Sequence, residues 1–194
     1  MTTLIVGASG ATGMKLVEQL LNKDQFVKVI VRSREKLPIS WEKNKNVLII
    51  TASVLELSDK EMSEYINGCN AVVSCLGHNM TWKGVYGQPR KLVTDATRRL
   101  CNAIKINEPK NPIKFVLMNT TGNRNRDLIE PISFAQKCVI GLIRLLLPPH
   151  LDNEKAADYL RTQISQNNTF IEWTTVRPDS LINEDNVTKY ETFS

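Results

Sequence analysis

The sequence has little that suits a metal, a membrane or a nucleic acid. Its four cysteines, Cys69, Cys75, Cys101 and Cys138, form no C-x-x-C pair, and its two histidines, His78 and His150, lie far apart without cysteine partners at zinc spacing. No metal site is therefore expected. Cys75 falls in an apolar run and Cys101 and Cys138 in helical patterns, so they read as core residues of a reducing compartment. The longest apolar stretch, Cys138 to Pro149, is interrupted by Arg144 and is too short to span a bilayer. Met1-Thr2-Thr3 leads straight into an apolar strand, which leaves no room for a signal or transit peptide. The expected location is the cytoplasm, with no membrane partner. Twenty-five basic and twenty acidic residues leave a net charge of +5, but the excess is scattered rather than blocked. A nucleic-acid partner is not expected from such a pattern. A mild basic excess does suit a ligand carrying several phosphates.

What is present is an alternation of strands and helices. Leu4–Val6, Phe26–Val31, Val47–Ile50, Ala71–Leu76, Ile113–Met118 and Ile171–Val176 are short apolar or β-branched runs. Between them, Met14–Asn22, Leu57–Ile66, Arg90–Ile106, Ile132–Leu147 and Asn153–Ser165 carry helical spacing. Ser58 is placed as an N-cap with Glu61 as its capping-box partner. Pro109 and Pro112 end the long third helix, and Pro148-Pro149 separate the last two. The leucine-rich Ile140–Leu147 is read as a buried or oligomer-facing helix in preference to a membrane or partner contact. This order predicts a doubly wound parallel sheet with helices on both faces, in a single domain over 1–194. No repeat, linker or low-complexity tract breaks it.

The chemistry begins where the first strand ends. Gly7-Ala8-Ser9-Gly10-Ala11-Thr12-Gly13 is a G-x-x-G-x-x-G loop set between a strand and a helix. The first glycine permits the turn, the second lets backbone approach a phosphate, and the third lets helix and strand pack closely. The helix then offers free N–H groups and a positive dipole end to a pyrophosphate, and Ser9 and Thr12 add hydroxyl donors. The loop predicts a dinucleotide site on a Rossmann-like fold. The second strand ends at Arg32-Ser33-Arg34. An acidic residue near that point would hold the ribose hydroxyls of NAD, and none is there. Two guanidinium groups and a hydroxyl suit a 2′-phosphate instead, so NADP(H) is expected over NAD(H), with Arg32 the better placed reader. A solvated basic turn is the competing reading.

Taken with Val73-Ser74-Cys75-Leu76-Gly77 and Trp173-Thr174-Thr175-Val176-Arg177-Pro178, the glycine loop and Val31-Arg32-Ser33 resemble the atypical short-chain dehydrogenase/reductases. Within them the chain is similar to the NAD(P)H-binding, NmrA-like group that includes biliverdin reductase B, a flavin reductase. The resemblance extends over nearly the whole chain. It implies that Leu76-Gly77 pass beside the nicotinamide ribose. It also implies that Asn119-Thr120-Thr121 end the fifth strand with a hydroxyl near the nicotinamide, and that Pro178 closes the back of the site. One departure stands out. Classical members carry Y-x-x-x-K, and those two positions fall here near Pro149 and Asn153. Tyr159 is followed four residues later by Gln163, so it does not rebuild the pair. Relatives also continue beyond the late strand into a substrate-closing segment, and little chain follows Leu181-Ile182 here.

Hydride transfer needs no protein acid, because the cofactor carries the chemistry. An NADPH-dependent reductase of a small flat redox-active or carbonyl substrate, such as a flavin or quinone, is the expected activity. Thr120 and Thr121 are candidates to orient carboxamide or substrate, their competing role being to cap the strand. His78 is a candidate substrate or proton-donating group, set against an exposed loop histidine. His150 beside Asp152 reads as a possible pair or, more simply, a solvated turn. Lys137 and Lys155 read as surface lysines. Asn79-Met80-Thr81-Trp82, Tyr86 and Asn123–Leu128 are expected on the substrate side, with Trp82 available to stack on a flat ring. Two rivals remain. One is an NADP(H) sensor that regulates a protein partner without turnover, which the missing Tyr/Lys pair favours. The weaker one is a nucleotide-sugar epimerase or dehydratase. Oligomeric state is not legible.

Overall fold

A computed structural model describes residues 1–78, 81, 82, 86–120, 133, 141, 142, 144, 146–178, 181 and 189–192. Six parallel strands form one sheet: β1 (Thr2–Val6), β2 (Phe26–Val31), β3 (Val47–Thr51), β4 (Ala71–Ser74), β5 (Ile113–Met118) and β6 (Ile171–Val176). Their spatial order is β3-β2-β1-β4-β5-β6. Among the described residues the helices are α1 (Ala11–Leu21), α2 (Ile39–Glu42), α3 (Asp59–Ile66), α4 (Leu92–Asn107) and α5 (Pro148–Tyr159), the last running on as a π-helical turn over Leu160–Ile164.

The central strands are continuous apolar runs because both of their faces are covered. Leu4, Ile5, Val27, Val29, Val72, Phe115 and Leu117 are fully buried. One face packs on α3, α4, α5 and the π turn through Ile66, Leu100, Ile104, Leu160 and Phe115. The other packs on α1 and α2 through Val17, Trp41 and Val29. The sheet is thus covered on both sides, as the alternating pattern requires.

Helix ends follow local chemistry. Ser58 and Glu61 make the expected capping box at α3, with Glu61 N donating to Ser58 Oγ at 3.2 Å and Ser58 N donating to Glu61 Oε2 at 2.8 Å. Helix α4 ends at Glu108, whose left-handed backbone (φ 42°) turns the chain ahead of Pro109. Pro148 and Pro149 do not merely separate two helices: they occupy the first turn of α5 and start it five residues before the expected Asn153. Proline suits that position, because a first-turn N–H has no helical acceptor and its φ is already helical. The short α2 was not expected; Trp41, 2% exposed, anchors it against β2 and β3.

Candidate dinucleotide site

The chain runs outward from β1 to β3 and then returns to the other side of β1 as β4. The carboxyl ends of β1 and β4 are therefore neighbours whose connections leave in opposite directions, which opens a crevice between them. Val6 is in register with Ser74, and Cys75 N donates to Val6 O at 2.9 Å. Ser74 is in register with Leu117 and Leu117 with Thr175, so β5 and β6 end on the same edge. Topology thus gathers Gly7, Cys75, Asn119 and Arg177 along one line.

Gly7 has φ +78°, and a Cβ there would lie 2.5 Å from the carbonyl carbon and oxygen of Cys75. A Cβ on Gly13 would lie 2.3 Å from Gly7 O. Only hydrogen fits at either place, so the loop lies flat against β4 and α1 starts hard against it. Gly10 N donates to Gly7 O at 3.1 Å and closes the turn. Gly10 is also the N-cap of α1; no side chain caps the helix and no acid lies in its first turn. The orphan N–H groups and the positive dipole end therefore face outward, unanswered by any described residue. Gly10 and Ala11 are exposed and Ser9 and Thr12 half-buried, with hydroxyls beside this opening. A pyrophosphate fits this cradle in shape and in charge.

At the end of β2 the three predicted residues divide their work. Arg34 donates through Nε to Thr51 Oγ1 at 2.9 Å and through a terminal nitrogen to Ile49 O at 3.4 Å, so it is tied to β3. Ser33 Oγ accepts from Glu35 N at 3.2 Å and shapes the turn. Arg32 is exposed, follows the strand directly, and has no hydrogen-bond partner among the described residues.

On the β4 side, Leu76 is half-buried, Gly77 exposed and His78 half-buried. The His78 ring is not the exposed loop group of the competing reading. Its Nε2 lies 2.8 Å from Asp152 Oδ2, and 6% of its side chain is exposed. Asn119 is 4% exposed. Its Nδ2 donates to Asn153 O at 3.0 Å and its Oδ1 accepts from Thr120 N at 2.8 Å. Its amide thus ties β5 to α5 and presents Thr120, which is exposed. Pro178 is half-buried just past β6. Thr121, Asn79, Met80, Lys137, Cys138 and Asn123–Leu128 lie outside the described residues.

Other candidates are redistributed. His150 does not pair with Asp152: it sits on α5, 3.3 Å from Glu154 Oε1 and outside hydrogen-bond geometry. Glu154, 3% exposed, is gripped instead by Arg144, whose Nε and a terminal nitrogen reach its carboxylate at 2.8–3.0 Å. Lys155 is exposed, as expected of a surface lysine. Leu142, Leu146 and Leu147 are 56%, 51% and 36% exposed, so the described part of the leucine-rich segment is not buried. Trp82 is exposed and stacks on Tyr86, with centroids 5.3 Å apart. Burial pushes the Cys75 thiol up to about 11 and the Cys101 thiol up to about 12, so both are neutral and unreactive near pH 7. Burial also raises Tyr159, the opposite of what a proton-donating tyrosine needs, although Arg98 lies over its ring. Among the described residues no group of three or more His, Cys, Asp or Glu could hold a metal ion, and no helix is long and apolar enough to cross a membrane.

Asp152, read from the sequence as a possible partner of His150, has partners that sequence spacing concealed. It is 2% exposed, and besides His78 it accepts from Val93 N and Thr94 N. Its only local signal is an acid on the inner side of a proline-started helix.

A doubly wound sheet with an open, glycine-built helix N-terminus at its switch point defines a dinucleotide-binding Rossmann-like protein. Comparison with known families makes this specific: residues 7–194 match the NAD(P)H-binding family, and the chain belongs to it. A chloroplastic, uncharacterised protein of Arabidopsis thaliana is 38% identical over 71 residues, which is 37% of this chain and 25% of that protein. The oxidoreductase ylbE of Lactococcus lactis shares the fold at TM-score 0.66 and 20% identity, over 95% of this chain and 72% of the other. A UDP-glucuronic acid 4-epimerase of Bacillus cereus, solved with NAD, does so at TM-score 0.67 and 18% identity, over 91% of this chain. The chain spans 56% of that epimerase. A putative NAD-dependent epimerase/dehydratase of Bacillus halodurans matches at TM-score 0.64 and 24% identity, over 95% and 73%.

Proposed function

We propose that this NAD(P)H-binding protein prefers NADPH and reduces a small flat redox-active or carbonyl substrate, a flavin or quinone, in the manner of the NmrA-like and biliverdin reductase B-like group. The observation that carries the reading is Arg32. It is an exposed guanidinium at the end of β2 with no hydrogen-bond partner among the described residues, where a 2′-phosphate would lie, and no acid stands in Arg32-Ser33-Arg34 to hold a ribose diol. Since Arg34 is bound to β3, one guanidinium rather than two reads the phosphate. A charge-assisted contact at an exposed position is worth about 1–2 kcal/mol, roughly a 5- to 30-fold preference. Calorimetric titration with NADPH and NADH tests it. NADPH should bind more tightly, and Arg32→Ala should remove most of the difference while leaving NADH unchanged. Equal affinities in the wild type would remove the phosphate argument.

The partner on this reading is a small molecule, with neither nucleic acid nor membrane involved, and the cytoplasm is the proposed location. The chloroplastic relative makes an organelle the alternative. A second reading, an NADP(H) sensor acting on a protein partner, is favoured by the missing Tyr/Lys pair, whose positions the resemblance puts near Pro149 and Asn153. Capture of a partner by only one redox form of the loaded protein, without turnover of any acceptor, distinguishes it. A nucleotide-sugar epimerase is the weakest reading, since such enzymes generally need the Tyr/Lys pair.

A further inference from the structure

His78 and Asp152 are 74 residues apart in the chain and joined at 2.8 Å. Both are nearly sealed, with 6% and 1% of their side chains exposed. The same carboxylate accepts Val93 N at 2.8 Å and Thr94 N at 3.0 Å in the first turn of α4, while Thr94 Oγ1 donates to the Asp152 carbonyl at 2.9 Å. Asp152 is therefore fixed in place by four hydrogen bonds from two other segments. An ionised carboxylate only accepts, so Nε2 of the ring donates and Nδ1 is the nitrogen at which a second proton comes and goes.

The position of the pair matters as much as its bond. His78 follows β4 three residues after Cys75, against whose backbone the phosphate loop packs. Asn153, next to Asp152, receives Asn119 from the end of β5, and Asn119 holds Thr120. His78, Asp152, Asn119 and Thr120 thus form one linked row along the carboxyl ends of β4 and β5. The resemblance puts a classical lysine near Asn153, so the row lies close to the place of the missing pair.

We propose that His78 is the proton donor of this site and Asp152 its positioning residue; this rests on the reductase reading above. Turning a quinone or carbonyl oxygen into a hydroxyl takes one hydride and one proton. The hydride, with both electrons, is what a bound reduced nicotinamide supplies. The proton leaves Nδ1 of the His78 imidazolium and forms the new O–H bond. The ring is left neutral with Nε2–H still on Asp152, and water reprotonates Nδ1. A fixed carboxylate holds the imidazole in the tautomer and orientation that this needs. Among the described residues, the charged groups facing the ring are the Asp152 carboxylate from α5 and the positive N-terminal end of α4.

Nitrogen-15 NMR of the whole chain without cofactor reads the tautomer. The neutral His78 ring should carry its proton on Nε2, Asp152→Asn should move proton density toward Nδ1, and added NADP+ should shift the ring signals. Reduction of a soluble benzoquinone by NADPH reads the role. His78→Gln should slow turnover roughly 10²-fold or more and abolish its decline with rising pH, with NADPH affinity changed by less than about threefold. A neutral ring protonated at Nδ1, or His78→Gln that keeps both rate and pH profile, overturns the proposal. Asp152→Asn also weakens the start of α4; should it not fold, the wild-type tautomer and His78→Gln decide. Wild-type protein that binds NADPH but reduces no quinone is the failure of the reductase reading, and ends the donor role with it. Reduction indifferent to His78 is the failure of the dyad alone.

Discussion

On one side of the β1–β4 seam the site is made of backbone; on the other it is made of side chains borrowed from distant elements. The phosphate side consists of Gly7, Gly10, Gly13 and the uncapped start of α1, all within a few residues of one another. The opposite side joins His78 after β4, Asn119 after β5 and Asp152 and Asn153 on α5, over separations of 34 to 74 residues. A site that binds through peptide groups needs only a short local geometry. A site that manages protons needs particular atoms at particular distances, and these come from wherever the fold can supply them.

Four substitutions sharpen this contrast, from the largest expected effect to the smallest. Gly7→Ala places a methyl 2.5 Å from the Cys75 carbonyl at a positive φ, and β4 cannot yield. A loss of about 3 kcal/mol or more is expected in urea unfolding, together with loss of nucleotide binding. A stable, nucleotide-binding Gly7→Ala protein would show that the loop does not bear on β4 as described. Asn119→Leu strips partners from Asn153 O and Thr120 N, two groups beside a buried side chain. It should cost about 2–3 kcal/mol by the same measurement. It should also impair turnover far more than NADPH affinity, because the damage lies on the side-chain half. Arg32→Ala should cost about 1–2 kcal/mol of NADPH affinity and nothing in stability, an effect confined to one ligand.

The smallest effect lies outside the crevice. Ser58→Ala removes the α3 cap and should lower stability by about 1 kcal/mol. Its pH dependence has a definite sign. The Ser58 hydroxyl, then its backbone N–H, holds the Glu61 carboxyl below its ordinary value of 4.5. A carboxyl lowered by folding stabilises above its unfolded value and loses that contribution as pH falls through the folded one. Thermal melts from pH 6 to pH 3 should therefore show the wild type losing its advantage over Ser58→Ala on the acid side. A difference that stays constant with pH would remove Glu61 from the box.

The same contrast explains what could be read without coordinates. β2, β5 and β6 begin and end where their apolar and β-branched runs do, because those runs outweigh the single charged residue inside each strand, Lys28, Lys114 and Glu172. The capping box was legible because Ser58 and Glu61 are three residues apart, and the glycine loop because its function is its own spacing. α2 was missed because four residues carry too little periodicity. α5 was started late because two prolines read as a break rather than as a first turn. Asp152 was legible only as a possible partner of His150; its pairing with His78 could not be found, since His78 and α4 meet it only after the sheet has closed the distance. His150, the histidine nearer to it in sequence, faces Glu154 one turn along the same helix instead.

The absence of any space for a Cβ at Gly7 has a wider meaning. Where two lobes of a nucleotide site are joined by side chains, they can hinge. Here the phosphate loop rests directly on the main chain that leads from β4 to His78. The interval between the anion cradle and the row of His78, Asn119 and Asp152 is therefore set by covalent geometry and strand spacing rather than by the ligand. The crevice behaves as a ruler. A dinucleotide of the right length spans it with little loss of motion in the protein, and a shorter or longer ligand reaches one end only.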